Sequence, residues 1–264
     1  MARTIPAMGI AIFALAGCMA APPKGPEFDT VTLAAAPADK AMLVVFRAHA
    51  EPTALAARIY VGHDEVMRLP QAAFGVAVVA PGDHPLALEW PPASGTPGWE
   101  GNGTWLAGQT YFYELTGTAG QGFHFRSQLG ETDARLADVK MRACCQLNTE
   151  QMGNSAVLAT PPTTLAAPLR REVSLEVIKA GMSPNEVLDL LGAPDAVSSK
   201  YTGAGKNPFS FSADTFREYW EYAGVGFVAF SRNNYNNTSR VVETAAGEAP
   251  KRKEPAKKPA QRRP

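Results

Sequence analysis

The sequence contains few of the residue patterns that carry enzymatic chemistry. Its 264 residues include three cysteines and four histidines. No two histidines lie three or four positions apart, the spacing with which a helix presents two metal ligands. No G-x-S-x-G or S-x-x-K sequence and no glycine-rich phosphate loop occur. We therefore predict a protein that is not an enzyme and that has no catalytic residues, no metal site and no cofactor.

Net charge and long apolar runs are also missing. The 25 basic residues equal the 25 acidic ones, which removes any global electrostatic case for binding nucleic acid. No apolar run reaches 18 residues, the length that a membrane-spanning helix needs. The chain is 45% hydrophobic and 19% charged, which is typical of a globular protein with a buried core.

The N-terminus has the pattern of an export signal. Arg3 precedes an apolar run from Ile5 to Ala16, which is too short to span a bilayer but suits a secretory signal. The run ends in Leu15-Ala16-Gly17-Cys18, which resembles the lipobox of bacterial lipoproteins. The resemblance implies cleavage after residue 17, acylation of Cys18 and, because Met19 rather than Asp follows, sorting to the outer membrane of a Gram-negative bacterium.

Ordinary secretion is the alternative. Ala14-Leu15-Ala16 is itself an A-x-A-like cleavage site. Cleavage there would leave a secreted protein with a free cysteine near its start. We favour the lipobox because its four residues stand together at the right distance from the first residue.

The other two cysteines, Cys144 and Cys145, are adjacent. A bridge between neighbours closes an eight-membered ring across a Cα separation of about 3.8 Å, below the usual disulfide range. Three states are open: a vicinal bridge, two buried thiols, or bonds to other chains. Two buried structural thiols are our default prediction.

Shifts in composition divide the chain. Residues 19–39 are rich in Ala, Pro and Gly, and residues 148–171 are rich in Pro and Thr, so both predict flexible connections. The predicted segments are a signal peptide (1–17), a lipidated tether (18–39), a β-sandwich (40–147), a linker (148–171), a small α+β domain (172–243) and a basic tail (244–264).

The first domain reads as an all-β antiparallel sandwich followed by a short helix. Met42–Phe46 is a continuous apolar run suited to a strand buried on both faces, and Arg58–Leu69 predicts a hairpin around a glycine turn. Residues 131–141 predict the helix. The Pro81-Gly82-x-His84 turn before Ala107–Tyr113 resembles a family of bacterial lipoproteins with a domain of unknown function. That resemblance implies fold and location only.

The second domain reads as two helices followed by an antiparallel meander. Val173–Ile178 suits a short helix, and Ser183-Pro184-Asn185-Glu186 predicts a capped second helix that ends at Gly192. Together with the Trp220-x-Tyr222 strand and a V-x-F strand, this order resembles the SmpA/OmlA (BamE-like) family of outer-membrane lipoproteins. The resemblance implies a periplasm-facing domain that works in envelope assembly or integrity.

Alternation along the Tyr219–Tyr222 stretch separates two faces. Trp220 and Tyr222 share one face, which we predict to be core. Tyr219 and Glu221 share the other face and are the predicted partner contacts. An aromatic binding platform is the alternative interpretation of the cluster.

The last fourteen residues hold seven basic residues and one acid. Such a segment is either a solvated, disordered end or an arm for lipid phosphates or peptidoglycan carboxylates. The candidate anion-binding residues are Lys251, Arg252, Lys253, Lys257, Lys258, Arg262 and Arg263.

These features predict an outer-membrane lipoprotein, facing the periplasm, that binds envelope proteins or polymers without catalysis. Its partners would be the membrane, through lipid on Cys18, and envelope components, with no nucleic acid. The alternative is a stand-alone periplasmic inhibitor or ligand-binding lipoprotein. An enzyme is the third hypothesis, to be considered only if the fold brings a histidine beside a serine or aspartate.

Overall fold

The computed structural model describes residues 21–119, 125–149, 174–201, 214–233 and 238–250. We call the part before the linker the first unit and the part after it the second unit. The first unit contains β1 (Ala41–Arg47), β2 (Ala57–Val61), β3 (Asp64–Leu69), β4 (Ala73–Val79), β5 (Gly82–Glu89), β6 (Trp99–Trp105), β7 (Thr110–Ala119), β8 (Phe125–Glu131), α1 (Ala134–Cys144) and β9 (Gln146–Leu147). The second contains α2 (Pro184–Leu191), β10 (Ala196–Tyr201), β11 (Asp214–Tyr222), β12 (Gly226–Asn233) and β13 (Ser239–Ala245).

The first unit is built from two sheets that share one core. The five-stranded sheet has the order β8-β7-β1-β4-β9, and the four-stranded sheet has the order β3-β2-β5-β6. Leu43 and Val45 of β1 are fully buried in the same cluster as Ile59 of β2 and Leu88 of β5. The prediction of a β-rich first unit is confirmed.

The prediction of a wholly antiparallel sandwich is wrong. β1 pairs in parallel with β7, and β4 pairs in parallel with β9. Parallel neighbours require a crossover rather than a tight turn, and here the chain between β1 and β7 visits the second sheet before it returns. Alternation and turn residues report on neighbouring strands only, so they do not reveal this long-range pairing.

β1 is buried on both faces, as its continuous apolar run predicts. Its seven residues are all buried. The face away from the other sheet, with Met42, Val44 and Phe46, packs in a second cluster that includes Phe28 and Met141. This outer face is therefore covered by α1 and by the N-terminal segment.

The predicted tether is corrected over residues 26–36, which we call the strap. Phe28 is 6% exposed and its ring meets Phe74 edge-on, with centroids 5.1 Å apart. Val31, Leu33 and Ala36 pack against the same cluster. Composition predicted a free segment here, but these scattered apolar side chains are enough to cover the outer face of β1.

α1 lies where the helix is predicted, shifted by three residues. It packs against both units. The Asp133 carboxylate caps it by accepting from the backbone N–H groups of Arg135 and Leu136. Ala137 and Met141 pack under the strap in the first unit. Leu136 packs instead with Val187, Trp220 and other residues of the second unit. The two units are thus joined by shared burial of one helix.

The second unit is a meander in the order β10-β11-β12-β13, with antiparallel pairing throughout. The predicted capping box at α2 is present: the Ser183 hydroxyl accepts from the Glu186 N–H, and the Glu186 carboxylate accepts from the Ser183 N–H. The predicted first helix is wrong, because Leu175–Val177 forms only one 3-10 turn before Ile178 becomes extended. Among the described residues, the second unit therefore has one α-helix rather than two.

The two faces of β11 are both covered. Trp220 and Tyr222 lie in the core beneath α2, as predicted. Tyr219 is 5% exposed and clusters with Phe227, Ala229 and Ala249 on the opposite face. The segment that follows β13 folds back over this face, a contact that alternation within one strand cannot predict.

Candidate functional site

The structure places few of the predicted site residues at an open surface. Cys18, the seven basic residues of the tail and nearly all of the predicted linker lie outside the described residues. Tyr219 is buried, so the interpretation of Tyr219 as a partner contact does not fit the fold. Glu221 is half-buried and stays a predicted contact.

The polar groups that the fold does bring together lie between the two units. Lys140 of α1 points into the boundary, with its Nζ 2.8 Å from the carboxylate of Glu114 in β7 and 2.9 Å from that of Glu218 in β11. Glu218 also accepts a 2.7 Å hydrogen bond from the indole Nε1 of Trp220 and lies 4.0 Å from Arg232. We call Lys140, Glu114, Glu218 and Arg232 the junction cluster.

Burial and neighbouring charges shift the pKa values of Lys140 and Glu218 in opposite directions. Burial by itself lowers the pKa of Lys140, but the attraction of Glu114 and Glu218 outweighs it, and the pKa is raised above its usual range. Burial alone raises the pKa of Glu218, but Lys140 and Arg232 outweigh it and lower the pKa. Both groups therefore stay charged near neutral pH.

This arrangement favours a structural role over acid–base chemistry. Two cations face two carboxylates, so the charges in the cluster balance. The shifts move the pKa values of Lys140 and Glu218 away from neutral pH. A general acid or base needs a pKa near the working pH. The cluster instead joins β7, α1 and β11 by charge-assisted hydrogen bonds, which bind the first unit to the second.

An aromatic contact adds to the same boundary. The ring of His49, from the loop after β1, stacks on Phe216 of β11 with centroids 5.3 Å apart. The Arg232 guanidinium also lies over Phe216, 4.7 Å from its centroid. Burial, followed by repulsion from Arg232 and Arg47, lowers the pKa of His49 to about 4. His49 is therefore neutral at physiological pH.

We expect His49 to make the protein sensitive to mild acid. Because its pKa is lowered on folding from 6.5 to about 4, the unfolded chain binds the proton more readily, and stability falls as the pH drops below 6.5. The loss between pH 7 and pH 5 should be on the order of 1–2 kcal/mol. Urea unfolding midpoints at the two pH values would measure it.

Two variants test whether His49 causes this pH dependence of stability. His49→Phe keeps an aromatic ring against Phe216 and removes the titrating group, so most of the acid-dependent loss between pH 7 and pH 5 should disappear. His63→Gln changes an exposed turn residue and should keep the wild-type loss. Equal pH dependence in wild type and His49→Phe would contradict the assignment.

Arg47 organises the loop on which His49 stands. Its side chain is fully buried and donates to the backbone carbonyls of Ala50, Pro52, Leu55 and Leu69 at 2.5–3.0 Å. The guanidinium also lies over the ring of Trp90, 4.9 Å from its centroid. This one side chain therefore ties the loop between β1 and β2 to the end of β3.

The other described histidines do not form a reactive centre. His84 stacks on Trp105 after the predicted Pro-Gly turn, and His63 is exposed in the turn between β2 and β3. Within the residues that the structure describes, no group of three or more His, Cys, Asp or Glu side chains is placed to hold a metal ion. His124 lies outside that part of the chain.

Cys144 and Cys145 form a vicinal disulfide. The default prediction of two buried thiols is wrong, and the bridge is the first of the three states that the sequence left open. Cys144 is the last residue of α1, and Cys145 is 3% exposed in the cluster beneath the strap. The Cys145 carbonyl accepts a 2.9 Å hydrogen bond from the Phe28 N–H.

Sequence reasoning missed the junction cluster although a signal existed. Lys140 follows Leu136 by four residues and Ala137 by three, which places it on the buried stripe of an amphipathic helix. Glu114 likewise interrupts the aromatic run of β7. A charged residue inside each of two apolar patterns indicates a buried pair, and only the fold shows that Glu218 completes it.

Comparison of the chain with protein-family models, curated proteins and solved structures finds no match. Of the helices in the described ranges, none is both long and apolar enough to cross a membrane. The resemblances to lipoprotein families rest on the motifs themselves and stay predictions.

Proposed function

We propose that this chain is an outer-membrane lipoprotein, anchored by lipid on Cys18 and facing the periplasm, that acts as a non-catalytic scaffold in cell-envelope assembly or integrity. The observation that carries the proposal is Leu15-Ala16-Gly17-Cys18 at the end of a short apolar run. A single acyl chain gives only marginal membrane binding. The lipoprotein pathway, by resemblance, supplies several chains on one cysteine.

The junction between the units supports a scaffold. α1 contributes to the cores of both units, and Lys140 pairs with one carboxylate from each. Charged side chains that are buried and paired fix one relative placement, because separating them would leave charges unpaired. A rigid two-part body presents its surfaces at a constant distance, as a scaffold requires.

Because the strap packs on the first unit, only a short length of chain separates the proposed lipid anchor at Cys18 from the folded protein. The polypeptide from Cys18 to Pro26 spans eight residues, which extend to at most roughly 28 Å. From Pro26 onward the chain lies on the first unit, where Pro26 accepts a hydrogen bond from the Leu147 N–H. The end of the first unit near Leu147 would therefore stay close to the membrane.

Partner contacts are proposed for the second unit and the tail. The second unit carries the BamE-like motif order, and of the described large apolar side chains it exposes Val177, Leu190 and Val242 at 42–47%. The seven basic residues after residue 250 would bind lipid phosphates or peptidoglycan carboxylates, at about 1 kcal/mol for each basic group near an anionic surface.

Replacing Cys18 with serine tests the anchor and the scaffold together. In a Gram-negative host, the wild type should take up labelled palmitate and sediment with outer membranes, while Cys18→Ser should lose the label and fall at least tenfold in that fraction. Crosslinking in cells followed by mass spectrometry should recover envelope proteins with the wild type and fewer with Cys18→Ser.

The double variant Cys144→Ser/Cys145→Ser is the matched control, because it removes the other two thiols and should keep both label and membrane fraction. Membrane sedimentation of Cys18→Ser without palmitate uptake by the wild type would refute the anchor. Recovery of no envelope protein would refute the scaffold, and recovery of one discrete target enzyme would favour the inhibitor alternative.

A further inference from the structure

The strap, α1 and β4 meet at one short stretch of chain that contains the vicinal disulfide. The Cys145 carbonyl accepts from the Phe28 N–H, and the Leu147 N–H donates to the Pro26 carbonyl. The Gln146 and Asn148 N–H groups donate to the carbonyls of Ala72 and Phe74, on the side of β4. The four residues after Cys144 therefore hold both the strap and the edge of the sheet.

The bridge restrains the turn on which these contacts depend. α1 ends at Cys144 and β9 begins at Gln146, so Cys145 alone links the helix to the strand. The disulfide closes a ring through the peptide bond between the two cysteines, which limits rotation about the bonds beside it. Opening the ring frees those rotations at the residue whose carbonyl receives the Phe28 N–H.

The two cysteines differ in exposure, which determines how the bridge can be opened. Cys145 is 3% exposed, whereas Cys144 is half-buried. A thiolate therefore approaches from the side of Cys144. Exchange requires direct access to a sulfur atom, so we expect attack at Cys144, the more exposed of the two residues.

We propose that the Cys144–Cys145 disulfide is a redox-sensitive lock that holds the strap on the first unit. A dithiol reductant attacks the Cys144 sulfur, a mixed disulfide forms, and Cys145 leaves as a thiolate. The second thiol of the reductant then closes its own disulfide and releases Cys144. Two electrons and two protons pass to the cysteines, and the dithiol is oxidised. The lock does not depend on the proposed lipid anchor.

Hydrogen exchange on the full-length protein, oxidised and after treatment with dithiothreitol, tests the lock. The amides of Phe28 and Val31 should exchange at least tenfold faster in the reduced protein. The Gly62 amide, in the turn between β2 and β3, donates to the Pro85 carbonyl of β5 and should be unchanged. Cys144→Ser/Cys145→Ser should match the reduced protein.

A reciprocal measurement works even if the double-serine variant fails to fold. Coupling between two equilibria acts equally in both directions, so a variant that releases the strap should make the bridge easier to reduce. Phe28→Ala should raise the equilibrium constant for reduction about tenfold, or roughly 30 mV. Asp29→Asn, at an exposed neighbour in the strap, should leave that constant unchanged.

Three results would overturn the proposal. The first is an oxidised protein whose intact mass is two hydrogens too heavy, since no bridge would then exist. The second is strap exchange that is the same before and after reduction. The third is Gly62 exchange that rises together with that of Phe28, because the bridge would then stabilise the whole unit rather than the strap.

Discussion

Replacing Lys140 with methionine is expected to lower the free energy of unfolding by about 3–5 kcal/mol. The side chain lies 2.8 Å from Glu114 and 2.9 Å from Glu218 in a buried boundary. Methionine has a similar volume but no charge, so two carboxylates would remain in the interior with their main counter-ion gone. Urea unfolding at pH 7 would measure the loss.

Arg142→Met on the same helix is the matched control. Arg142 pairs with Asp138 at 2.8 Å, but its side chain is 47% exposed. Exposed pairs contribute at most about 1 kcal/mol, so this variant should unfold close to the wild type. A loss for Lys140→Met no greater than that for Arg142→Met would show that the junction cluster does not hold the units together.

The loss caused by Lys140→Met should also depend on pH. In the wild type the pKa of Glu218 is lowered below 4.5, so its contribution is present above that value and is lost as the pH falls through the folded pKa. Without Lys140, burial disfavours the charged carboxylate, and protonation relieves the cost. As the pH falls, the difference in the free energy of unfolding between variant and wild type should therefore narrow, first as the buried carboxylate of the variant is protonated and then as Glu218 of the wild type is protonated below pH 4.5.

Replacing Arg47 with methionine is expected to destabilise the protein by about 4 kcal/mol or more. Each buried carbonyl that loses its donor costs about 1–3 kcal/mol, and Arg47 donates to four. Methionine refills part of the space, so the loss reports mainly on the missing hydrogen bonds. The shift of the urea midpoint, with an unchanged slope, would measure it.

Two variants distinguish the geometry of Arg47 from its charge. Arg47→Lys keeps the charge but cannot reach four carbonyls with one ammonium group, so it should lose nearly as much stability as Arg47→Met. Arg68→Met removes an arginine that is 51% exposed and paired with Glu65, and should cost less than about 1 kcal/mol. Full stability of Arg47→Lys would show that charge alone matters.

Local patterns predicted much of the secondary structure. Met42–Phe46 is buried on both faces because no polar residue interrupts it. Ser183 and Glu186 close the capping box because both groups belong to the same turn. Trp220 and Tyr222 enter the core because alternate residues of a strand share a face. Each of these outcomes depends on residues that are close together in the chain.

Contacts between distant residues account for the errors. The strap docks because β1 leaves an apolar outer face, which the composition of residues 19–39 does not reveal. Tyr219 is buried because the segment after β13 returns over it. The 3-10 turn at Leu175–Val177 replaces a predicted helix because Ile178 turns into the core of the second unit.

By itself, the sequence determined the β-rich character of the chain, the capped helix and the core face of β11, because neighbouring residues specify them. Tertiary structure alone decided the parallel pairing of β1 with β7 and the burial of Lys140 between two carboxylates. Both bring together residues far apart in the chain. Such contacts depend on the packing of the whole molecule: a charge on an apolar stripe indicates that Lys140 is buried and paired, but no local pattern identifies both of its partners.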